Sequence, residues 1–397
     1  MRILIIVNKV PYPPIDGGSI ATLALARHFA LLGNHVDILA MNTSKHYFRL
    51  DKIPLEISRV IRFIGVDTPA LISPLGALKN LLFSDKAYIA ERFYTEKFRE
   101  RLEEILDEED YDVVQLEGSY MGMYLPSIRA HSAAKISMRA HNLEYEIWER
   151  TARNASSLKS WYFKNLAQRI KKLEVGQLND FHAIIPITHR DADSLKQMGC
   201  GLPMHITPTG VDVKNQKLQT QEIEFPSVFH IGALDWPPNQ EGLLWFFHSI
   251  WPLVLKKHPQ LKFYLAGRNA PDRIKNMKVK NMVFLGEVES ATDFLNSKAI
   301  GVVPLLSGSG MRIKIVEGMA LGKSMVTTTL GVEGISARDG EEIMIADTPE
   351  DFARKICSLV EDKGLFTQMG EKAFSFVRNS YDNKKIAQSL LDFYENL

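Results

Sequence analysis

The sequence has little cysteine, almost no net charge and no long hydrophobic run, and each shortage excludes a class of protein. Its 397 residues include only Cys200 and Cys357, too few for a disulfide framework or a cysteine-rich zinc site, which predicts a reducing, cytoplasmic setting. Lys and Arg total 48 against 47 Asp and Glu, so the basic excess of a general nucleic-acid binder is missing. No apolar run approaches the roughly 18 residues of a membrane span, and Ile3–Val7 is too short for a secretory signal.

Short apolar runs instead alternate with segments of helical periodicity, such as Ser19–Leu32. The strand-like runs of the first half are Ile3–Val7, Val36–Met41, Val113–Leu116, Ile136–Met138 and Ala183–Ile187. Continuous runs of this kind, bounded by turn residues, are typical of parallel strands that are covered on both faces. The alternation therefore predicts a doubly wound α/β domain.

The same alternation restarts after a polar segment, residues 214–226, which we interpret as a linker. The later strand-like runs are Val228–Ile231, Phe263–Ala266, Met282–Leu285, Ile300–Val303 and Ser324–Thr327. We therefore predict an α/β protein with two Rossmann-like, doubly wound domains, residues 1–213 and 227–380, that face a cleft. Residues 381–397 have a helical pattern, and one interpretation returns this helix to the first domain. Open α/β sheets bind ligands at the carboxyl ends of their strands, so we expect the site in the cleft.

The sharpest chemical signal is the segment 307–322, SGSGMRIKIVEGMALG. A glycine loop opens into a helix, where unpaired N–H groups attract phosphate, and Arg312 and Lys314 add two cations. Glu317 lies three residues after Lys314, on the same helix face. One interpretation is a diphosphate held by loop and cations, with Glu317 on the hydroxyls of a ribose; the other is a capped helix with a Lys314–Glu317 surface pair. A dinucleotide fingerprint is excluded because Ile313 replaces its third glycine.

A second glycine turn follows the first strand. Gly17 and Gly18 directly precede the helix Ser19–Leu32, with Ser19 as a candidate N-cap. This helix start suits a phosphate or a sugar, and the alternative is an exposed turn stiffened by prolines.

Read in order, these motifs resemble the GT-B glycosyltransferases of the retaining family-4 type over nearly the whole chain. The residues that carry the resemblance are Asp16–Gly18, Thr209–Asp212, Gly232, Val283–Val288, Glu317–Gly322 and Gly331–Gly334. The resemblance implies a hexosyltransferase-type enzyme of polysaccharide biosynthesis. Such an enzyme transfers a sugar from a nucleotide-diphosphate sugar to a glycan, lipid-linked or similar acceptor, with no metal and no cofactor.

The resemblance also implies a donor site in which Glu317 holds the ribose and the Gly286–Glu287 turn lies near the base. His141, in the sequence Arg139-Ala-His-Asn142, is the best match to a histidine that contacts the donor sugar. The full donor-binding set is Gly17, Gly18, Gly232, Gly286, Glu287, Ser309, Gly310, Met311 and Glu317.

The sequence departs from the family where charge matters most. Ser309 stands where the family usually has a second glutamate, and Ala233 and Pro237–Asn239 stand where it has an arginine and a lysine. Our hypothesis is that Arg312 and Lys314 replace those cations opposite the leaving diphosphate, so that the catalytic set is His141, Arg312 and Lys314. The departures leave two alternatives, a silent nucleotide-sugar-binding module and a sugar-nucleotide epimerase or hydrolase of the same fold.

Two further predictions concern the acceptor and the membrane. Glu117 and Arg139 are assigned to the acceptor side, although a turn role for Glu117 is an alternative. Residues 158–173 form a basic amphipathic helix that either contacts the cytoplasmic face of a membrane or packs its apolar stripe on its own domain. No metal site and no nucleic-acid partner are predicted.

Overall fold

The chain forms two compact units. The computed structural model describes residues 1–153, 155–213, 223–308 and 310–397. The first unit comprises Met1–Thr209 together with Ile386–Leu397, and the second comprises Gly210–Lys385. Within the described residues, every helix is too short or too polar to serve as a membrane span.

The first unit is built on a six-stranded parallel sheet. Its strands are β1 (Arg2–Val7), β2 (His35–Asn42), β3 (Ile61–Asp67), β4 (Val113–Glu117), β5 (Lys135–Ala140) and β6 (Ala183–Pro186). They lie in the order β3-β2-β1-β4-β5-β6. Successive residues of β1 enter opposite cores: Ile3 and Ile5 pack on one face, and Leu4 and Ile6 on the other. This two-sided burial explains why the strand is apolar throughout.

Helices cover both faces of this sheet. They are α1 (Gly17–Leu31), α2 (Leu55–Ser58), α3 (Pro74–Phe83), α4 (Tyr88–Glu91), α5 (Glu96–Glu108), α6 (Leu125–His131), α7 (Glu144–Arg153), α8 (Ser157–Gln177) and α9 (His189–Gln197). Short 3₁₀ segments are Ser44–His46, Leu50–Lys52 and Ser119–Tyr124. The apolar stripe of residues 158–173 packs inward, with Leu166 and Ile170 in the core and Tyr162 and Leu173 against it. The apolar stripe thus packs on its own domain, the second of the two interpretations, and contact of this helix with a membrane stays a prediction.

The second unit repeats the architecture. Its strands are β7 (Glu224–Ile231), β8 (Phe263–Ala266), β9 (Met282–Gly286), β10 (Lys298–Val303), β11 (Ser324–Thr327) and β12 (Met344–Ile345). Their parallel order, β12-β11-β10-β7-β8-β9, is the order of the first sheet. The helices are α10 (Pro237–Trp245), α11 (Trp251–Lys257), α12 (Asp272–Lys275), α13 (Ala291–Ser297), α14 (Ile313–Ala320), α15 (Pro349–Glu361) and α16 (Lys363–Ser380), with a π-helical turn at Phe246–Ile250. The prediction of two Rossmann-like α/β domains is confirmed.

The ends of the second unit differ in detail from the predicted boundaries. Residues 214–222 of the predicted linker lie outside the described residues, whereas 224–226 are the first residues of β7. The last helix, α17 (Asn383–Glu395), places Leu390, Leu391 and Tyr394 in the core of the first unit.

Each sheet has one point where its strand order reverses. This point lies between β1 and β4 in the first sheet and between β7 and β10 in the second. The segment after β1 leads to Gly17, and the segment after β10 is the glycine loop that precedes α14. Ligands of open α/β sheets bind beyond the carboxyl ends of the strands at such points, so each unit presents a candidate site there.

Candidate functional site

A carboxylate–histidine pair forms the centre of the site in the first unit. Glu117 is the last residue of β4, and His141 directly follows the neighbouring strand β5. His141 Nε2 hydrogen-bonds Glu117 Oε2, which also accepts from Thr22 Oγ1 of α1 at 2.9 Å. Arg139 Nη1 lies 3.8 Å from the same oxygen.

The ionisation of Glu117 determines which nitrogen of His141 carries the proton in their hydrogen bond. Burial by itself raises the pKa of Glu117, but the charges of His141 and Arg139 outweigh burial and lower it to about 2. An ionised carboxylate has no proton to donate, so the proton of the short contact belongs to His141 Nε2. Nδ1 has no hydrogen-bond partner among the described residues, and the ring is only partly buried. His141 can therefore present Nδ1 to a ligand.

A chain of buried hydrogen bonds continues behind Glu117. Gln115 Nε2 donates to Glu117 Oε1, and Gln115 Oε1 accepts from the Tyr394 hydroxyl at 2.7 Å. Tyr394 lies on α17, and its hydroxyl is also 2.8 Å from Ser137 Oγ of β5. Gln115 and Tyr394 were not predicted from the sequence, although a glutamine inside the apolar run Val113–Leu116 is itself a signal of a buried polar network.

The two side chains assigned to an acceptor are in the interior instead. Glu117 is 6% exposed and Arg139 1% exposed. Both stand behind His141, because they come from strands whose side chains are covered on both faces. Both side chains are buried, and their assignment to the acceptor side stays a prediction.

The glycine turn of the first unit begins α1 at Gly17, with a different cap from the one predicted. The N-cap is Asp16, whose Oδ1 accepts from the Ser19 N–H at 3.0 Å. Its Oδ2 is 2.6 Å from Lys9 Nζ. Burial raises the pKa of Asp16, but the bonds from Lys9 and Ser19 outweigh burial and lower it. Lys9, which was not predicted as a site residue, thus offsets a negative charge at a helix start where phosphate is expected.

In the second unit, Lys314 reaches the turn that follows β7. Its Nζ donates to Asn239 Oδ1 at 2.8 Å, and a Cβ placed on Gly232 would lie only 3.1 Å from that Nζ. Lys314 and Glu317 form no ion pair within the described part of the chain, so the alternative of a surface pair fails. Burial, together with the charge of Arg312, lowers the pKa of Lys314 to about 7.

A neutral histidine stands beside this lysine. His230 is buried in β7, and its Nδ1 lies 2.9 Å from the carbonyl oxygen of Val302 on β10. Burial and the charge of Lys314 lower the pKa of His230 well below its usual range. Its Nε2 has no hydrogen-bond partner among the described residues. The turn at Gly232 therefore carries one titratable cation, from Lys314, and an uncharged imidazole.

Arg312 has a different position from Lys314. It immediately precedes α14, is buried, donates from Nη1 to the carbonyl oxygen of Gly310, and lies 5.5 Å over the ring of Trp236. Gly308, with φ of 114°, approaches the guanidinium so closely that a Cβ there would be 2.9 Å from Nη2. Arg312 thus shapes the glycine loop. Ser309 lies outside the described residues, and Met311 is partly buried.

Glu317 follows one turn later on α14. Its side chain is exposed, although surrounding protein atoms raise its pKa and the charge of Lys314 opposes that rise. An accessible carboxylate on the helix that carries Lys314 can accept hydrogen bonds from a ligand's hydroxyl groups.

Three glycines close the carboxyl ends of β7, β8 and β9. Gly267, directly after β8, donates its N–H to the carbonyl oxygen of Gly286 at 2.7 Å, and a Cβ on Gly267 would collide with the carbonyl oxygen of Gly232. Gly286 has φ of 68°, and Glu287 beside it is exposed. Gly232 and Gly286 were predicted as site residues, whereas Gly267 was not, although its place directly after a strand was a signal. The resulting edge is backbone-lined and open to a flat ligand.

No group of three His, Cys, Asp or Glu side chains within the described ranges is arranged to hold a metal ion. Side-chain cations near the two helix starts include Lys9 in the first unit and Arg312 and Lys314 in the second.

Comparisons with known proteins agree with this architecture. Solved structures of similar fold include sucrose-phosphate synthase from Thermosynechococcus elongatus, with a TM-score of 0.72 and 16% identity over 100% of this chain and 99% of that one. TarM has a TM-score of 0.71 and 13% identity over 99% and 98% of the two chains. Anabaena HepE, solved in complex with UDP, has a TM-score of 0.69 and 13% identity over 100% of both.

Sequence comparison identifies the family. An uncharacterized 44.6 kDa protein in the cps region of Klebsiella pneumoniae is 25% identical over 414 aligned positions, covering 100% of both chains. The family described as Glycosyl transferases group 1 matches residues 225–362, and Glycosyltransferase Family 4 matches residues 15–215. Because the second match alone spans more than half of the sequence and the two together fall on the paired doubly wound units, the chain belongs to glycosyltransferase family 4 and is a glycosyltransferase with the GT-B fold.

Proposed function

We propose that the protein is a retaining glycosyltransferase that transfers a sugar from a nucleoside-diphosphate sugar to a glycan or lipid-linked acceptor in the cytoplasm. The observation that carries the proposal is the position of Lys314, whose ammonium group reaches the Gly232 turn from α14. Anabaena HepE has been solved with UDP and with UDP-glucose, which favours a uridine nucleotide as the donor. The relative in a cps region supports a role in polysaccharide biosynthesis.

The donor diphosphate has cationic and dipolar partners without a metal. Lys314 supplies the charge that Ala233 and Asn239 do not, and Asn239 holds its Nζ at 2.8 Å. The start of α14 adds N–H groups in the second unit, and the Gly17–Gly18 turn of the first unit is a separate helix start that suits an anion. In this arrangement Arg312 is a positioning residue, because its guanidinium is already engaged with Gly310 and Trp236.

The remaining donor contacts follow from the exposed edge of the second unit. Glu317 accepts from the ribose hydroxyls, and the Gly286–Glu287 turn lies near the base. Gly267 has no side chain, so a planar base can approach the backbone at this edge. A side chain at this position would displace the Gly232 carbonyl group.

His141 acts on the donor sugar. As the bond from the sugar carbon to the diphosphate oxygen breaks, the carbon becomes oxocarbenium-like. The acceptor hydroxyl oxygen bonds to it on the face that the diphosphate vacates, and the hydroxyl proton passes to the departing diphosphate. Nδ1 of His141 accepts a hydrogen bond from a sugar hydroxyl, and the ionised Glu117 on Nε2 holds the ring in the tautomer that can accept it. Glu117 is buried behind His141, so we assign no nucleophilic carboxylate.

A thermal-shift panel of nucleoside diphosphates and their sugars tests the donor assignment. UDP at about a hundred times its dissociation constant should stabilise the protein by about 2.7 kcal/mol, and an equal concentration of uridine should not. Lys314→Met serves as the paired variant that keeps the fold and removes the cation. A flat response to every nucleotide contradicts the proposal.

Product analysis then separates the alternatives. Release of the nucleoside diphosphate with unaltered acceptor indicates a hydrolase, isomerised donor indicates an epimerase, and binding without turnover indicates a silent binding module. The anomeric configuration of the product, read by proton NMR coupling constants, tests retention directly.

A further inference from the structure

Helix α3 exposes most of its apolar side chains and buries a polar one. Its ten residues, PLGALKNLLF, include four leucines and a phenylalanine, yet Asn80 is its only buried residue. Leu75 is 80% exposed and Phe83 81% exposed. A helix on a water-soluble domain ordinarily turns its leucines toward the core and its polar residues outward.

Specific polar contacts hold α3 in this orientation. Asn80 Nδ2 donates to Glu91 Oε2 of α4 at 2.6 Å. Arg169 of α8 donates to the carbonyl oxygens of Leu81 at 3.0 Å and Ser84 at 2.7 Å, at the carboxyl end of α3. Hydrogen bonds to Asn80 and to the carbonyl groups at its carboxyl end therefore hold α3 on the domain, and these contacts leave most of its leucines exposed.

The exposed apolar side chains form one patch. The α3 patch consists of Leu71, Ile72, Leu75, Leu78, Leu82 and Phe83. Trp161, which precedes Tyr162 on α8, is also exposed. A groove of about 410 Å³ between α3 and α8 adjoins it, lined by Leu78, Leu81, Tyr162 and Phe163 among others. Contiguous apolar surface of this kind marks a protein or membrane interaction site.

The positive charge of residues 151–173, beside the patch, favours a membrane over a protein as its partner. Residues 151–173 contain six Lys and Arg and no Asp or Glu. Five of the six are exposed: Arg153, Lys159, Lys164, Lys171 and Lys172. An apolar patch on one element, with exposed basic side chains and an exposed tryptophan on the helix beside it, is complementary to an anionic lipid bilayer. There the cations meet headgroups and the apolar residues enter the acyl boundary.

We propose that the α3 patch docks the protein on an anionic lipid bilayer, with the exposed cations of α8 against the lipid headgroups. The apolar contribution thus comes from α3 and the electrostatic contribution from α8, whose own apolar stripe is buried. This inference rests on the proposed function for its purpose, which is to bring the enzyme to a lipid-linked acceptor, but adhesion itself requires no donor.

Vesicle flotation of the full-length protein tests the proposal. Vesicles of phosphatidylcholine with phosphatidylglycerol should bind the protein, and vesicles of phosphatidylcholine alone should bind it at least about tenfold more weakly. Leu75→Ser/Leu82→Ser/Phe83→Ser should lower binding to the anionic vesicles at least about tenfold. Lys159→Gln/Lys164→Gln should lower it by about tenfold or more, whereas the control Lys97→Gln/Lys196→Gln, on exposed lysines of α5 and α9, should not.

The same variants separate this inference from the proposed function. All of the substituted side chains are exposed, so the thermal midpoint and its shift by UDP should match those of the wild type. Vesicle binding without a UDP shift rejects the donor assignment and leaves docking intact. A UDP shift without vesicle binding, or equal flotation of the α3 variant, overturns docking. Sedimentation velocity that shows a wild-type dimer and a monomeric α3 variant, with no flotation, assigns the patch to a second copy instead and also overturns it.

Discussion

At the scale of single residues, the hydroxyl of Tyr394 controls the alignment of Glu117 through Gln115. Tyr394→Phe removes the donor to Gln115 Oε1 and should cost about 1 kcal/mol of stability. We expect kcat to fall about tenfold with the affinity for UDP unchanged, because His141 loses its fixed orientation. Steady-state kinetics and calorimetry measure the two effects.

The matched control is Tyr381→Phe in the second unit, which removes the hydroxyl that accepts from the Ser336 N–H at 3.1 Å. It should lose similar stability and keep its kcat. Equal losses of kcat in both variants would show that Tyr394 is merely structural.

Lys314 should make donor affinity depend on pH. Since its pKa is about 7 in the unliganded protein, binding of a diphosphate above pH 7 must take up a proton, and the affinity for UDP should fall by up to about tenfold per pH unit. Titration calorimetry should show a flat profile for Lys314→Arg, which stays charged. Lys314→Met should bind UDP about tenfold to a hundredfold more weakly at pH 7. A wild-type profile as flat as that of the arginine variant contradicts the assignment.

The same pKa shift of Lys314 affects stability. Affinity for UDP falls as the pH rises, whereas the free energy of unfolding increases. The folded-state pKa of Lys314 lies below the ordinary value of 10.5, so between pH 7 and 10.5 the unfolded chain binds the additional proton. Stability from this residue therefore increases as the pH rises through that window. Below pH 7 the unliganded Lys314→Met variant should be more stable than the wild type, by about 1–2 kcal/mol in denaturant titrations.

Residues differ in how far the sequence could identify them. Lys314 and His141 stand in motifs that follow strands, so their neighbourhood was predictable, although the contact of Lys314 with Asn239 was not. Gln115 and Tyr394 are 279 positions apart, and no local pattern connects them. Their pairing follows only from the return of α17 to the first unit.

At the scale of elements, the interlocked ends of β7, β8 and β9 depend on glycine. Gly267→Ala would drive a Cβ into the carbonyl oxygen of Gly232 at a φ of 156°, so the three strand ends must separate. We expect a loss of about 1–3 kcal/mol and no thermal shift by UDP.

The control for this substitution is Gly176→Ala, within helix α8, where a new Cβ meets nothing within 4 Å. Alanine there should raise stability by up to about 1 kcal/mol, because glycine weakens a helix interior. Survival of the UDP shift in Gly267→Ala would mean that this edge is not the nucleotide site.

The elements themselves were largely predictable, because parallel strands buried on both faces leave a continuous apolar signature, as in Ile3–Val7 and Ile300–Val303. The N-cap of α1 was not: Ser19 and Asp16 are both good caps by composition, and only the backbone geometry selects Asp16. The stripe of residues 158–173 was ambiguous for a related reason. Periodicity shows that a helix has an apolar face but not what covers that face.

At the scale of the whole molecule, the first unit should depend on residues at the far end of the chain. Leu390→Ala leaves a cavity beside Phe29 and β1 and should cost about 2–5 kcal/mol. Hydrogen exchange should localise the loosened amides to the first unit. The exposed Lys385→Ala should change stability by less than about 0.5 kcal/mol. Loosening confined to the second unit would contradict the assignment of α17.

The duplicated strand order also explains why the architecture was easier to predict than its boundaries. Two alternations of strand and helix separated by a polar stretch indicate two units, but the polar stretch alone does not show that β7 already begins at Glu224. Proline at position 226 favoured a linker, and its place near the start of a strand is where a sheet tolerates it.

The return of α17 also sets an order of assembly during synthesis. A ribosome releases residues 1–209 long before Leu390, Leu391 and Tyr394 leave its exit tunnel. The first unit must therefore wait, with one face of its sheet incompletely covered, until residues 386–397 have emerged.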